Sequence, residues 1–136
     1  MSGASEPSRI LPGLDRLNRD FWTGGADGRL LIARCDCGRY IHPPLPRCPA
    51  CGGSTITPTP VSGRGRVAAY SVNHQAWLPG LKVPFVFAAV EIDEQSELYV
   101  FTNIVGCDPE QVAYRMPVKV AFEAHEDVYL PMFEPA

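Results

Sequence analysis

Apolar residues recur along this chain in two rhythms. Between Pro12-Gly13 and Gly24-Gly25, Leu14, Leu17 and Phe21 fall at helical spacing with Asp15 in the first turn. This predicts a short amphipathic helix from Leu14 to Trp22. Its apolar stripe can pack on the chain's own body or on a partner, and the pattern leaves both open. From Leu30 the rhythm becomes that of strands. Leu30-Leu31-Ile32 reads as a strand and Tyr40-Ile41 as its return, and five further runs follow Gly63: Arg66 to Asn73, Phe85 to Ile92, Leu98 to Val105, Val118 to Phe122 and Val128 to Phe133. Asp93-Glu94-Gln95-Ser96 is the turn between the second and third of these. Asp108-Pro109-Glu110-Gln111-Val112 opens like a helix, with an acidic cap and proline at its first position.

Five strands with a helix between the third and fourth is the arrangement of an OB-fold barrel, and a small sandwich has the same strand count. The predicted fold is therefore mainly β. It divides into a helical segment over 1–28, a rubredoxin-like metal ribbon over 29–62 and a five-stranded barrel over 63–136. The 14 prolines and 12 glycines among 136 residues favour short strands and turns over long helices. The polar start MSGASEPSRI and the lack of an apolar run of about 20 residues predict no signal peptide and no membrane span, hence a cytoplasmic protein. In that compartment the five cysteines read as metal or reactivity chemistry, not disulfides.

Cys35-Asp36-Cys37-Gly38 and Cys48-Pro49-Ala50-Cys51-Gly52 form two cysteine pairs, each followed by glycine. Tight turns of this kind aim two sulfurs at one point, and glycine relieves backbone crowding just after them. Cys35, Cys37, Cys48 and Cys51 are thus the predicted ligands of one structural Zn²⁺ with no open coordination position. The second pair is a regular Cys-x-x-Cys knuckle and the first is one residue shorter. A redox dithiol or an iron centre needs features this chain does not show.

Charge is divided by sign. Residues 1–66 hold nine arginines against five acids, and residues 67–136 hold three basic residues against ten acids. Four thiolates around Zn²⁺ carry a net −2, so the arginine excess either balances the metal centre or serves an anionic ligand or acidic partner.

No catalytic apparatus is legible. His42, His74 and His125 lie in segments without a nucleophile motif, and His125-Glu126-Asp127 reads as a solvated turn. Cys107 follows a strand with no basic neighbour in sequence to lower its pKa, and reads as a buried free thiol, not a nucleophile. His74, Gln75 and Trp77 fall in the loop between the first two barrel strands, where such barrels place ligand or partner contacts. The tryptophan is either an interface anchor or a cover over the barrel mouth. Single-stranded nucleic acid needs aromatics set among cations, whereas PFVFAAVEID and ELYVFTNIV hold aromatics with no basic residue.

The chain resembles the zinc-ribbon and OB-fold proteins of domain-of-unknown-function family 35, acyl-CoA-associated partners of thiolase-superfamily enzymes. The resemblance is carried by Asp20-Phe21-Trp22, by the Cys-Gly-Arg-Tyr-x-x-Pro-Pro run from Cys37 to Pro44, and by Cys48-Pro49-x-Cys51. It continues through Gly63-x-Gly65-x-Val67, Val90-Glu91, Asn103-Ile104-Val105-Gly106-Cys107, Met116-Pro117-Val118 and Pro131-x-Phe133-x-Pro135. The Asn73-His74-Gln75-x-Trp77-x-Pro79 loop is most similar to members that pair with lipid-transfer-protein-like aldolases acting on steroid side chains. Two departures stand out: the shortened first cysteine pair, and Arg115 where the family tends to have glycine. The resemblance implies a non-catalytic subunit of a hetero-oligomer with an aldolase or thiolase, and acyl-CoA bound in the complex. Phe21, Trp22, His74, Gln75 and Trp77 become the candidate partner contacts. Nucleic-acid binding and free-standing acyl-CoA binding are the competing functions.

Overall fold

A computed structural model describes residues 10–76 and 80–136. Trp77, the aromatic of the first barrel loop, lies outside the described residues. The single α-helix among them, α1, spans Arg19–Thr23 and is shorter than the predicted Leu14–Trp22. The first turn of that prediction is held by side chains instead. The Asp15 carboxylate accepts the N–H groups of Leu17 and Asn18 at 2.9 and 2.8 Å, and the Asn18 side-chain oxygen accepts the Asp15 N–H. Such local bonds compete with the helical ladder and delay its start. Gly24-Gly25 ends the helix as expected and continues as a 3-10 turn over Gly24–Asp27.

Strands β1 (Leu30–Cys35), β2 (Tyr40–Ile41) and β3 (Ile56–Val61) form an antiparallel ribbon in the order β2-β1-β3. β3 has no counterpart in the sequence prediction, because Pro58 and Pro60 argue against a strand. Both prolines sit at the same parity opposite Ala33 and Leu31, with their backbone nitrogens turned away from β1 to the open side of the ribbon. Their missing N–H groups fall on one side of the ladder, which is tolerable only in an edge strand.

The remaining strands are β4 (Arg64–Asn73), β5 (Phe85–Ile92), β6 (Tyr99–Ile104), β7 (Pro117–His125) and β8 (Val128–Pro135). They close into a barrel in the order β4-β5-β6-β8-β7, with β6 and β8 parallel and the other pairs antiparallel. That closed five-strand order makes the barrel an OB-fold and removes the sandwich alternative. The helix expected at Asp108 is one 3-10 turn, Pro109–Gln111, with the reciprocal cap that Asp108 promised.

The ribbon is not a separate body. Leu30, Ile32 and Tyr40 join Val67, Val86, Val90, Val100, Val118 and Phe133 in one buried cluster. The turn between β5 and β6 completes the junction. Gln95 accepts the Tyr40 N–H at 2.8 Å and donates to the Tyr40 carbonyl at 3.0 Å, while the Glu94 carboxylate accepts the Ser62 N–H at 2.6 Å.

Candidate metal centre

β1 delivers Cys35 at its last residue, and a tight turn closed by the Gly38 N–H on the Cys35 carbonyl (2.8 Å) places Cys37. The second pair sits on a matching turn, in which the Gly52 N–H reaches the Cys48 carbonyl and the Cys48 N–H reaches the Gly53 carbonyl, both at 2.8 Å. Gly38 and Gly52 have φ of +100° and +76°. A side chain at Gly52 would meet nothing within 4 Å, so the glycines supply a left-handed backbone and do not relieve crowding.

The four sulfurs converge. Cys35 and Cys51 are 3.6 Å apart, Cys37 and Cys48 are 3.8 Å apart, and all four ligand atoms lie within 4.8 Å of one another. A tetrahedral Zn²⁺ with bonds of about 2.3 Å needs sulfurs about 3.8 Å apart, so the donor set and its spacing fit that ion. Cys35 and Cys48 are buried against Ile41, Ala33 and Ile56, and Cys37 and Cys51 face outward.

The backbone prepares the sulfurs unequally. Cys48 Sγ accepts the Ala50 N–H and Cys51 Sγ the Gly53 N–H, each at 3.4 Å. Without a metal, the Cys51 and Ala50 N–H groups against the opposing effect of burial hold the Cys48 thiol down to about 7. The Cys37 N–H acts the same way on Cys35, but burial and the neighbouring thiols outweigh it and the Cys35 pKa rises to about 12.

Two arginines bracket the centre, residues the sequence analysis did not single out from the arginine excess. Arg34 Nε donates to the Gly38 carbonyl at 2.9 Å, with its guanidinium 4.6 Å above the Tyr40 ring, and Arg47 donates to the Gly52 carbonyl at 3.0 Å. The signal was present: Arg immediately precedes the first cysteine of each pair and Gly follows the second. Part of the arginine excess therefore stands beside the thiolates, as a charge-balancing role requires.

The other candidates are scattered. His42 stands outside the four-sulfur group; its ring packs 4.5 Å from that of Phe21, and desolvation lowers its pKa to about 4. His125 ends β7, pairs with Glu123 at 2.7 Å and leads into the Glu126-Asp127 turn. Cys107 packs partly buried against the core, and burial followed by the Asp108 charge raises its pKa, which makes it a poor nucleophile. Of the predicted partner contacts, Phe21 is 7% exposed and belongs to the core, so this chain already covers it. Trp22 is half-buried beside it with the rings edge to face, and His74 and Gln75 are exposed. Arg115 does occupy a left-handed turn, at φ +67°, and bonds Glu91 at 2.8 Å. No helix among the described residues is long and apolar enough to cross a membrane.

A four-cysteine ribbon packed on a closed OB-fold barrel defines the class of this protein, and comparison with known proteins narrows it. Two family models match in tandem: the ChsH2 rubredoxin-like zinc ribbon domain over residues 22–57 and the ChsH2 C-terminal OB-fold domain over residues 58–123. The solved Ltp2-ChsH2(DUF35) aldolase superposes with a TM-score of 0.82 at 35% identity, covering 92% of this chain and 98% of the matched one. The chain belongs to the DUF35 family. It is also 35% identical over 124 residues to the 3-oxo-4,17-pregnadiene-20-carboxyl-CoA hydratase alpha subunit of Mycobacterium tuberculosis, covering 91% of this chain and 39% of that one. Benzoylsuccinyl-CoA thiolase subunit BbsA of Thauera aromatica is 31% identical over 109 residues, 73% of this chain and 74% of that subunit. The chain thus spans about two fifths of the hydratase subunit and about three quarters of the thiolase subunit.

Proposed function

We propose that this chain is a non-catalytic accessory subunit which binds one structural Zn²⁺, docks on a thiolase-superfamily enzyme, stabilises it and helps shape its acyl-CoA site. The observation that carries this reading is the 0.82 superposition, at 35% identity, on a chain solved as part of an aldolase. The relatedness to a CoA-thioester thiolase subunit and to a CoA-thioester hydratase subunit supports the same substrate chemistry. In the finer reading the partner is a lipid-transfer-protein-like aldolase and the substrate a steroid side-chain acyl-CoA thioester cleaved by retro-aldol chemistry. Trp22, His74, Gln75 and Trp77 are the proposed contacts, with Phe21 fixing Trp22 from within.

Co-expression with a thiolase-fold protein of the lipid-transfer-protein-like aldolase type, then gel filtration and assay on steroidal and short-chain acyl-CoA thioesters, tests both levels. The subunit should co-elute with that enzyme and raise its activity, and Trp77→Ala should weaken the complex without changing the zinc content of the free chain. Separate elution with no gain in activity discards the reading, and preference for the short chain discards the steroid level alone.

A further inference from the structure

The barrel is closed in topology, yet its seam between β6 and β8 is short. The two strands share one register pair, Ile104↔Phe133, extended by a bond from the Val105 N–H to the Phe133 carbonyl at 2.8 Å. On the other side of β6, the Ile92 N–H bonds the Leu98 carbonyl at 2.8 Å. That bond fixes the parity of the β5–β6 ladder: even-numbered residues of β6 turn their backbone groups toward β5, and Tyr99 and Phe101 turn theirs toward the seam. Two residues before Phe133 stands Pro131, which has no N–H to offer the Phe101 carbonyl, and its own carbonyl accepts the Thr102 hydroxyl at 2.8 Å. Among the described residues pairing therefore stops at Pro131 and leaves Tyr99–Phe101 as an open strand edge.

The same stretch exposes apolar surface. Phe101 is 67% exposed, Phe87 47% and Tyr99 38%, and the Phe87 and Phe101 rings lie stacked 6.0 Å apart. Charge narrows what can cover them. β5 and β6 contain no basic residue, and residues 67–136 hold three basic residues against ten acids. A second copy of this acidic barrel is repelled, and an apolar strand flanked by cations is attracted.

We propose that the Tyr99–Phe101 edge receives an extended, apolar, Lys- or Arg-flanked segment of the thiolase-fold partner as an added strand, whose side chains rest on Phe87 and Phe101. This rests on the accessory-subunit reading. Phe101→Pro is the discriminating variant, because it deletes one seam-side N–H and no bond to β5. Phe101→Ala removes the ring and keeps the N–H, and Tyr114→Ala removes an exposed aromatic outside the strands.

The measurement is amide hydrogen exchange of the full chain, free and bound to the co-expressed thiolase-fold protein, with affinities of the three variants. The Tyr99 and Phe101 amides should exchange fast in the free chain and become protected in the complex. Phe101→Pro should weaken binding by about tenfold or more and by more than Phe101→Ala, with Tyr114→Ala unchanged. A complex in which both amides stay unprotected, or which Phe101→Pro leaves at full affinity, overturns the edge and spares the accessory role. Protection that arises from self-association of this chain assigns the edge to a second copy and also overturns it. Absence of any complex removes both readings. The wild-type exchange result decides the matter even if Phe101→Pro does not fold.

Discussion

His42 should shape the acid response of this chain, from a position where the sequence showed only the lack of a nucleophile motif. Its imidazole lies against Phe21, and desolvation holds its pKa at about 4 against 6.5 in the unfolded chain. Below pH 6.5 the unfolded state takes up a proton that the folded state refuses, so stability is complete above that pH and falls toward pH 4. The loss at pH 5 should be about 2 kcal/mol. Urea titrations at pH 7.5 and pH 5, with zinc content checked at both, should show His42→Phe losing less than wild type, and an equal loss in both proteins assigns the sensitivity elsewhere. Arg115 poses the converse problem. Its left-handed backbone costs about 1 kcal/mol, while its half-exposed pair with Glu91 returns at most about as much. Arg115→Gly should therefore stay within about 1 kcal/mol of wild type, and Arg115→Ala, which keeps the strain and loses the pair, should be about 1 kcal/mol less stable than the glycine variant in urea unfolding. An alanine variant as stable as the glycine one rules out backbone strain there. At this scale the convergence of the four cysteines was legible, because cysteine pairs ending in glycine are a local signal. The roles of His42 and Phe21 were not, since they depend on a contact 21 residues apart in sequence.

Among the elements, legibility followed how much of each is decided by its own residues. Two barrel strands, β5 and β6, alternate cleanly, with Val86, Ala88, Val90 and Ile92 buried and Phe87 exposed, and period-2 patterning identified them to within a residue of their ends. α1 was over-read because Leu14, Leu17 and Phe21 keep the helical period while Asp15 and Asn18 tie the backbone of the first turn to side chains. β3 was missed because two prolines hide a strand whose existence is fixed by β1 beside it. The β5–β6 turn was read correctly as a turn, but its task was invisible. Gln95 satisfies both backbone groups of the buried Tyr40, a residue 55 positions away. Gln95→Ala leaves that N–H and carbonyl unpaired at the ribbon–barrel junction, which should cost about 1 to 3 kcal/mol in urea unfolding at unchanged zinc content. A cost near zero means that water replaces the amide and that the turn does not hold the ribbon.

For the whole molecule, the decisive question is whether the metal centre stabilises only its own loops. The four thiolates sit at one end of β1, and the same strand sends Leu30 and Ile32 into the cluster that contains Val67, Val90 and Phe133 of the barrel. Binding of structural zinc is worth on the order of 10 kcal/mol in small ribbons, comparable to the whole stability of a domain, about 5 to 15 kcal/mol. If β1 is held by the metal and the barrel core is held in part by β1, removing the ion uncovers apolar surface on the barrel and the two units cannot melt independently. Metal analysis of the purified chain should give about one Zn²⁺, and holo protein should unfold in a single transition. Chelation or Cys48→Ser should lower that one transition for the whole chain by more than 10 °C, since about 1 kcal/mol corresponds to roughly 3 to 4 °C at this size. The buried Val90 and Val100 amides in β5 and β6 should lose protection along with those of β1. If chelation melts only residues of the ribbon, and the barrel amides keep their protection at an unchanged midpoint, then the shared core does not couple the two units and zinc acts on the ribbon alone.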